Sequence, residues 1–144
     1  NLFGGELLAR MDRAASIAAQ RHSRNICVTA SVNHVAFTKA IPLGSVVTVE
    51  AKVSRSFNSS MEIYIDVWIE DRASGNRTKT MEAIYTFVAV NATGKPVEVP
   101  PIIPQTELEQ QRFDAALRRK QLSLVLAGKM KPNDATELKA LFTA

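Results

Sequence analysis

The sequence has one cysteine and two histidines among its 144 residues. Because Cys27 has no second cysteine to pair with, the chain has no internal disulfide, which favours a reducing compartment, the cytoplasm. His22 and His34 stand alone, whereas a metal site draws on several neighbouring His, Cys or acidic side chains. The sequence therefore predicts neither a metal site nor a bound cofactor.

Long apolar runs and nucleotide-binding glycine motifs are also missing. No apolar run approaches the ~20 residues that cross a bilayer, and there is no P-loop, Gly-x-Gly-x-x-Gly or Gly-x-Ser-x-Gly segment. Eighteen basic residues against 14 acidic ones give a net charge of +4. No basic–aromatic interleaving or helix-turn-helix pattern accompanies that excess. We therefore expect neither nucleic acid nor a membrane as partner, whereas a small polyanionic ligand fits the charge.

The chain begins with helix-forming residues behind a pair of glycines. Gly4 and Gly5 lead into a helix that reaches about Arg21, and apolar residues recur in it at helical spacing. The acid Asp12 falls at the margin of this apolar stripe. Free backbone N–H groups and a carboxylate on one helix suit acyl transfer. A loop entering a helix, and a solvated surface acid, are the plain structural alternatives.

Four segments of period two follow, and turns separate them. We expect strands at 26–36, 47–53, 61–69 and 78–90. The last is apolar on both faces from Ala83 to Val90, which predicts a central position in the sheet. One helix followed by four antiparallel strands is an α+β arrangement.

The C-terminal part has a different composition. Four of the six prolines lie between Pro96 and Pro104, which predicts an extended linker. Thr106-x-x-Glu109 forms a capping box for a helix that Gly128 ends, and Asp134-x-x-Glu137 starts a last helix through Leu141. We divide the chain into a domain at 1–104 and a helical extension at 105–144.

Two further polar features have only local interpretations. At the end of the first helix, His22 is expected to interact with the helix's last carbonyls. His34 has no assigned role. Arg55, Ser59 and Ser60 surround a strand end, where a cation and hydroxyls would grip a phosphate or simply form a polar turn.

Several segments share their order with one enzyme family. They are Leu2-Phe3-Gly4-Gly5 with Met11-Asp12, Ile17-Ala18-Ala19 with Arg21-His22, Val28-Thr29-Ala30-Ser31-Val32 with Phe37, Ser59-Ser60-Met61-Glu62-Ile63, and Phe87-Val88-Ala89-Val90. Over residues 1–120 the chain resembles the hotdog-fold acyl-CoA thioesterases, specifically the cytosolic acyl-CoA hydrolase group. The resemblance implies a hotdog fold, an antiparallel sheet wrapped around a central helix. It also implies a dimer as the minimal active unit, with dimers associating into trimers as a homohexamer.

The resemblance also implies roles for individual residues. Asp12 matches the family's catalytic aspartate, acting from the opposing protomer as general base or nucleophile. Gly4 and Gly5 match the turn whose N–H groups polarise the thioester carbonyl. The positions that match the lining of the CoA groove are Asn33, Phe37, Arg55, Ser59 and Ser60. The implied activity is hydrolysis of acyl-CoA to free fatty acid and CoA.

The chain departs from the family's pattern at its start. Family members carry a first strand and a catalytic Asn a few residues before the Phe-Gly-Gly stretch, and Asn1 lies too near Gly4 to be that residue. We interpret the first strand as missing upstream, because a sheet without it exposes unpaired backbone. The alternative is a non-catalytic module that binds acyl-CoA. A hotdog dehydratase is disfavoured because no His lies between Asn1 and Arg21.

Overall fold

The computed structural model describes residues 4–143, so Asn1, Leu2 and Phe3, which carry part of the resemblance, lie outside the described residues. The chain divides between Pro101 and Ile102 into two compact units. The first contains α1 (Gly4–Ser23), β1 (Ile26–Phe37), β2 (Val46–Ser56), β3 (Ser60–Glu70) and β4 (Arg77–Val90). The second contains α2 (Glu107–Leu126), a 3₁₀ turn (Pro132–Asp134) and α3 (Thr136–Lys139).

The four strands of the first unit form one antiparallel sheet in the order β1-β4-β3-β2. Strand β4 pairs with β1 on one side and with β3 on the other, so its predicted central position is confirmed. Both edges of β4 are therefore paired within the sheet. The predicted α+β class is confirmed.

Helix α1 packs across one face of this sheet. It buries every fourth residue: Leu7, Met11, Ala15 and Ala19. Opposite them lie the odd-numbered residues of the two inner strands: Met61, Ile63, Ile65, Val67, Met81, Ala83, Tyr85, Phe87 and Ala89. Ala15 and Ala19 are fully buried, and their small side chains let the helix axis approach the sheet closely. The hydroxyl of Tyr85 donates to the carbonyl of Leu8 at 2.9 Å and fastens the helix to β4.

Strand β1 is irregular, and the irregularity decides which of its residues face the helix. Thr29 lies opposite Phe87, but Ser31 already lies opposite Thr86, so one residue is added between them. A second extra residue follows Asn33, where His34 adopts a positive φ of 52°. Each extra residue exchanges the two faces of the strand downstream of it.

The sheet face that points away from α1 carries a polar network. The ammonium group of Lys79 lies 2.7 Å from Asp66 and 3.0 Å from Glu82, and Tyr64 also donates to Glu82. Partial burial opposes the charge of Lys79, but its hydrogen bonds with Asp66 and Glu82 outweigh that cost and raise its pKa. The network joins β3 to β4 on this face.

The segment after β4 returns along the sheet as the predicted extended linker. The amide of Val97 donates to Ala89, and the carbonyl of Pro100 accepts from Ser56 Oγ at 2.7 Å. His22 Nε2 lies 2.8 Å from the same carbonyl. The expectation that His22 bonds its own helix is therefore wrong, because the carbonyl of Pro100 lies at the helix end and bonds His22 instead.

The second unit confirms one helix and corrects another. Thr106 accepts from the amide of Glu109 at 3.1 Å, as the capping box predicts, and Gly128 follows α2 with a φ of 72°. The last helix, expected to start at Asp134 and run through Leu141, spans only Thr136–Lys139. Asp134 lies in the 3₁₀ turn instead. The helical path is interrupted at Ala135, whose ψ is 70°.

Candidate active site

Asp12 is hydrogen-bonded to a residue of β1. The hydroxyl of Thr29 donates to Asp12 Oδ1 at 2.7 Å. Asp12 is half-buried next to the fully buried Met11, and Thr29 faces the helix because its strand partner Phe87 does. The carboxylate is thus oriented by a fixed donor at the edge of the core, with its other oxygen left to accept a proton.

Thr29 did not emerge from the sequence as a site residue. Thr29 is part of the segment beginning at Val28 that the chain shares with the thioesterase family, but no role is implied for it there. The signal was nevertheless there, since Thr29 stands two positions after the apolar Cys27 and shares its face on a strand. Thr29 is exposed at the margin of that face, where its hydroxyl reaches Asp12 on the facing helix.

Tyr85 forms the wall behind Asp12. Burial, and to a smaller extent the negative charge of Asp12, raises the pKa of Tyr85 to about 12. The phenol therefore stays protonated at neutral pH, and its proton is committed to the carbonyl of Leu8.

Gly4 and Gly5 form the first turn of α1. The first amides of a helix have no acceptor within it and carry the positive end of its dipole. The ring of Phe37 lies 3.4 Å from the position that a Cβ on Gly4 would occupy. Gly4 is half-buried beneath this ring, whereas Gly5 is exposed. A carbonyl oxygen approaching the turn beside Phe37 would meet these amides.

The helix also fixes how far the two groups stand apart. Eight residues separate Gly4 from Asp12, which at 1.5 Å per residue is ~12 Å along the axis. A reacting carbonyl needs both its oxyanion donors and its base within about 3 Å. The first amides of α1 and the Asp12 carboxylate of one chain therefore lie too far apart to contact the same carbonyl group.

The residues expected to line a CoA groove are divided between the two sheet faces. Phe37 pairs with Met81 on the helix side, whereas Asn33 pairs with Ile84 on the opposite face and donates to Ser31 at 3.3 Å. Arg55 and Ser60 also belong to that opposite face, through their partners Glu62 and Val88.

Arg55 and Ser59 lie close to the β2–β3 turn. The guanidinium of Arg55 stacks over Phe57 at 6.0 Å, and the carbonyl of Ser59 accepts from Ala89. The structure thus brings Asp12 together with Thr29, and Gly4 together with Phe37. Arg55 and Ser59, near the β2–β3 turn, belong to neither of these two pairs.

Two kinds of feature are absent from residues 4–143. No three His, Cys, Asp or Glu side chains are placed to hold a metal ion there. No helix within that range is long and apolar enough to cross a bilayer. What the described site offers is a carboxylate with a fixed donor and a helix start.

The sequence profile of the Thioesterase superfamily matches residues 1–75, more than half of the chain. The chain belongs to the thioesterase superfamily. Among its relatives is the uncharacterized acyl-CoA thioester hydrolase YkhA of Bacillus subtilis, 41% identical over 82% of this chain and 69% of that protein. Mouse acyl-coenzyme A thioesterase 11 is 40% identical over 88% of this chain. The chain spans only about a fifth of the mouse protein's length.

Solved structures extend this superfamily assignment to the fold. An apo-hexameric acyl-CoA thioesterase superimposes with a TM-score of 0.83 at 36% identity, over 88% of this chain and 81% of that one. An acyl-CoA hydrolase from Staphylococcus aureus, in complex with butyryl coenzyme A, coenzyme A and coenzyme A disulfide, gives 0.82 at 32% identity over 96% and 84%. The expected hotdog fold is confirmed.

The Staphylococcus aureus thioesterase was also solved with single alanine replacements of an asparagine, an aspartate and a threonine. The replaced aspartate and threonine are 17 positions apart in its chain. Asp12 and Thr29 are separated by the same 17 positions here. The replaced asparagine stands 15 positions before that aspartate, which in this chain is ahead of Asn1.

Proposed function

We propose that this chain hydrolyses acyl-CoA thioesters to free fatty acid and CoA. The proposal rests on the 2.7 Å hydrogen bond between Thr29 and Asp12, because this bond orients a half-buried carboxylate within a thioesterase-superfamily fold. Asp12 and Thr29 are 17 positions apart, like the aspartate and threonine that were replaced in the Staphylococcus aureus hydrolase. This equal separation, and the acyl-CoA thioesterases among the relatives, support the same activity.

The proposed reaction assigns one role to each group. The thioester oxygen lies against the amides of Gly4 and Gly5, which stabilise its developing negative charge. Asp12 takes a proton from water as the water oxygen bonds to the carbonyl carbon. The C–S bond then breaks, and the CoA sulfur leaves with a proton as the carboxylic acid forms. Direct attack by Asp12, followed by hydrolysis of the resulting anhydride, gives the same products.

Two chains are needed to assemble this site. Because ~12 Å separates Gly4 from Asp12 along one helix, the base must come from a second protomer. The outer edge of β1 has no strand partner within residues 4–143, and Val28 and Val32 on that strand are 50% and 43% exposed. We propose a dimer joined along β1, and we propose that three such dimers form a hexamer, since two similar solved structures are described as hexameric.

Val32→Asp tests that dimer. Val32 lies near the middle of β1, where a two-fold axis would bring it close to its own copy, so the variant sets two carboxylates against each other. We expect the dimer dissociation constant to rise about tenfold or more, measured by analytical ultracentrifugation, with hydrolysis falling in parallel. The matched control is Val46→Asp on β2, where the exposed fraction is 42%. Equal dissociation constants for the two variants would refute the β1 dimer.

The residues that contact the CoA part of the substrate are also part of this proposal. Asn33, Arg55, Ser59 and Ser60 are proposed to contact it, with the cation and the hydroxyls directed at phosphate. Since these residues lie away from Asp12 on a single chain, CoA would extend between protomers.

Release of free CoA is the experiment that tests the activity. Incubating the protein with butyryl-CoA and a thiol-reactive dye is expected to show catalytic turnover, with several CoA molecules released per chain. A binding module that does not cleave its ligand would retain butyryl-CoA in an equilibrium dialysis and release no thiol. That second result would replace hydrolysis with the sensing alternative.

A further inference from the structure

Tyr85 places a phenol hydroxyl inside the core, beneath the turn of α1 that leads to Asp12. The residue is 1% exposed, and its hydroxyl donates to the carbonyl of Leu8 at 2.9 Å. A buried hydroxyl without a partner is costly, whereas a phenylalanine would fill the same space and need no acceptor. The hydroxyl therefore adds a directional contact at a position that packing alone could fill.

The acceptor of this bond belongs to the backbone that carries Asp12. In an α-helix each carbonyl accepts from the amide four residues later, so within α1 the carbonyl of Leu8 accepts from the amide of Asp12. A carbonyl oxygen has two lone pairs and can accept from both donors. The hydroxyl of Tyr85 and the amide of Asp12 thus meet on one oxygen atom, which ties the height of Asp12 above the sheet to β4.

A second contact holds Asp12 from β1. The hydroxyl of Thr29 donates to the carboxylate at 2.7 Å, and Thr29 lies opposite Phe87 on β4. The ring of Phe87 in turn stacks on that of Tyr85, with centroids 6.4 Å apart. These contacts close a ring that returns to Asp12 through the carbonyl of Leu8. One strand holds the backbone of Asp12, and the neighbouring strand holds its carboxylate.

The phenol of Tyr85 is a permanent donor in this ring of contacts. Burial raises the pKa of Tyr85 to about 12, so its hydroxyl keeps its proton throughout the pH range in which the protein is folded and assayed. An exposed fraction of 1% also leaves almost no surface for a substrate to contact. Any effect of this hydroxyl on the reaction must therefore pass through Asp12.

We propose that Tyr85 is a positioning residue for the hydrolysis, whose bond to the carbonyl of Leu8 sets the place from which the carboxylate of Asp12 reaches water and thioester. This inference rests on the proposed hydrolysis of acyl-CoA. A general base must lie within about 3 Å of the group whose proton it takes. A displacement of ~1 Å can lower the rate by about 100-fold. A hydroxyl that holds a helix turn therefore changes kcat without touching the substrate.

Tyr85→Phe tests this role, because it removes the hydroxyl and keeps the ring. We expect kcat for butyryl-CoA to fall by about 10–100-fold, with little change in KM, since no proposed CoA contact is altered. The matched control is Tyr64→Phe, which removes the hydroxyl of the chain's other tyrosine. That hydroxyl donates to Glu82 on the opposite face of the sheet, so the control should keep the wild-type kcat. Thermal melts verify that both variants fold. Wild-type kcat in Tyr85→Phe would overturn the proposal.

A double-mutant cycle with Asp12→Asn separates positioning from a general loss of structure. If Tyr85 acts through the carboxylate, its replacement by Phe lowers kcat of the wild type but leaves the residual kcat of Asp12→Asn unchanged. A loosened core would instead lower both rates by the same factor. Equal factors in the two backgrounds would refute the positioning role.

A crystal structure of Tyr85→Phe separates this inference from the activity itself. If the wild-type protein releases no CoA, the proposed hydrolysis fails, and the position of Asp12 in that crystal structure then decides whether Tyr85 places it. A carboxylate displaced from Thr29 beyond hydrogen-bonding distance would support the role of Tyr85. A retained hydrogen bond between Thr29 and Asp12, with the turn at Leu8 unmoved, would contradict it.

Discussion

Replacing Asp12 by Asn is expected to lower kcat for acyl-CoA hydrolysis by about 10²–10⁴-fold. The amide keeps the size of the carboxylate and can still accept from the hydroxyl of Thr29, but it can neither take a proton from water nor attack the carbonyl. KM for the substrate should change little, because Asp12 is not among the proposed CoA contacts. Stopped-flow or steady-state release of CoA measures the effect.

Two further variants make this result specific. Asp114→Asn removes an equivalent charge from an exposed position of α2, where the carboxylate accepts from Gln110, and should leave kcat unchanged. Thr29→Val keeps the branched shape but loses the donor that orients Asp12, so kcat should fall by a smaller factor. Wild-type turnover in Asp12→Asn would remove Asp12 from the mechanism altogether.

Phe87→Ala is expected to lower the free energy of unfolding by about 3–5 kcal/mol. Phe87 is 1% exposed on the central strand, between Thr29 on one side and Met61 on the other. Its ring stacks on Tyr85 with centroids 6.4 Å apart. Truncation leaves a cavity directly under α1, which rigid neighbouring strands cannot fill.

Urea unfolding followed by circular dichroism measures this loss. Phe142→Ala makes the same chemical change at a side chain that is 81% exposed, and should alter the free energy of unfolding by no more than about 0.5 kcal/mol. A loss below 1 kcal/mol for Phe87→Ala would mean that the sheet closes over the vacated space.

Much of the secondary structure could be predicted where the local sequence pattern and the tertiary environment agree. The apolar stretch that ends at Val90 has a strand partner on each side. The buried alanines of α1 recur every fourth residue, as the helical spacing predicts. The capping box at Thr106 is a purely local device. In each case the residues that decide the structure are neighbours in sequence.

Other features depend on contacts that sequence spacing does not contain. The face of β1 on which Asn33 lies depends on an extra residue after Thr29, and that residue is set by pairing with β4. The start of α3 depends on Gln121, whose side-chain oxygen accepts from the amide of Leu138 at 2.9 Å. Asp134 has the residue type of a helix cap, but a distant residue supplies the acceptor.

The pair of Asp12 and Thr29 belongs to this second group. Each residue was visible by itself, yet their partnership requires α1 to lie across β1 in one particular register. Asp12 could be assigned from a resemblance at the helix start. Thr29 could be assigned only when its hydroxyl was seen 2.7 Å from the carboxylate.

The two irregularities of β1 have a consequence for the behaviour of the protein in a crowded solution. A long, exposed, apolar edge strand recruits foreign strands and leads to aggregation when it is regular. With its pleat interrupted after Thr29 and again at His34, β1 offers no continuous ladder to an unrelated chain. A second copy, running in the opposite direction, carries the same interruptions and can match them. The proposed dimer would thereby favour a second copy of β1 over an unrelated strand.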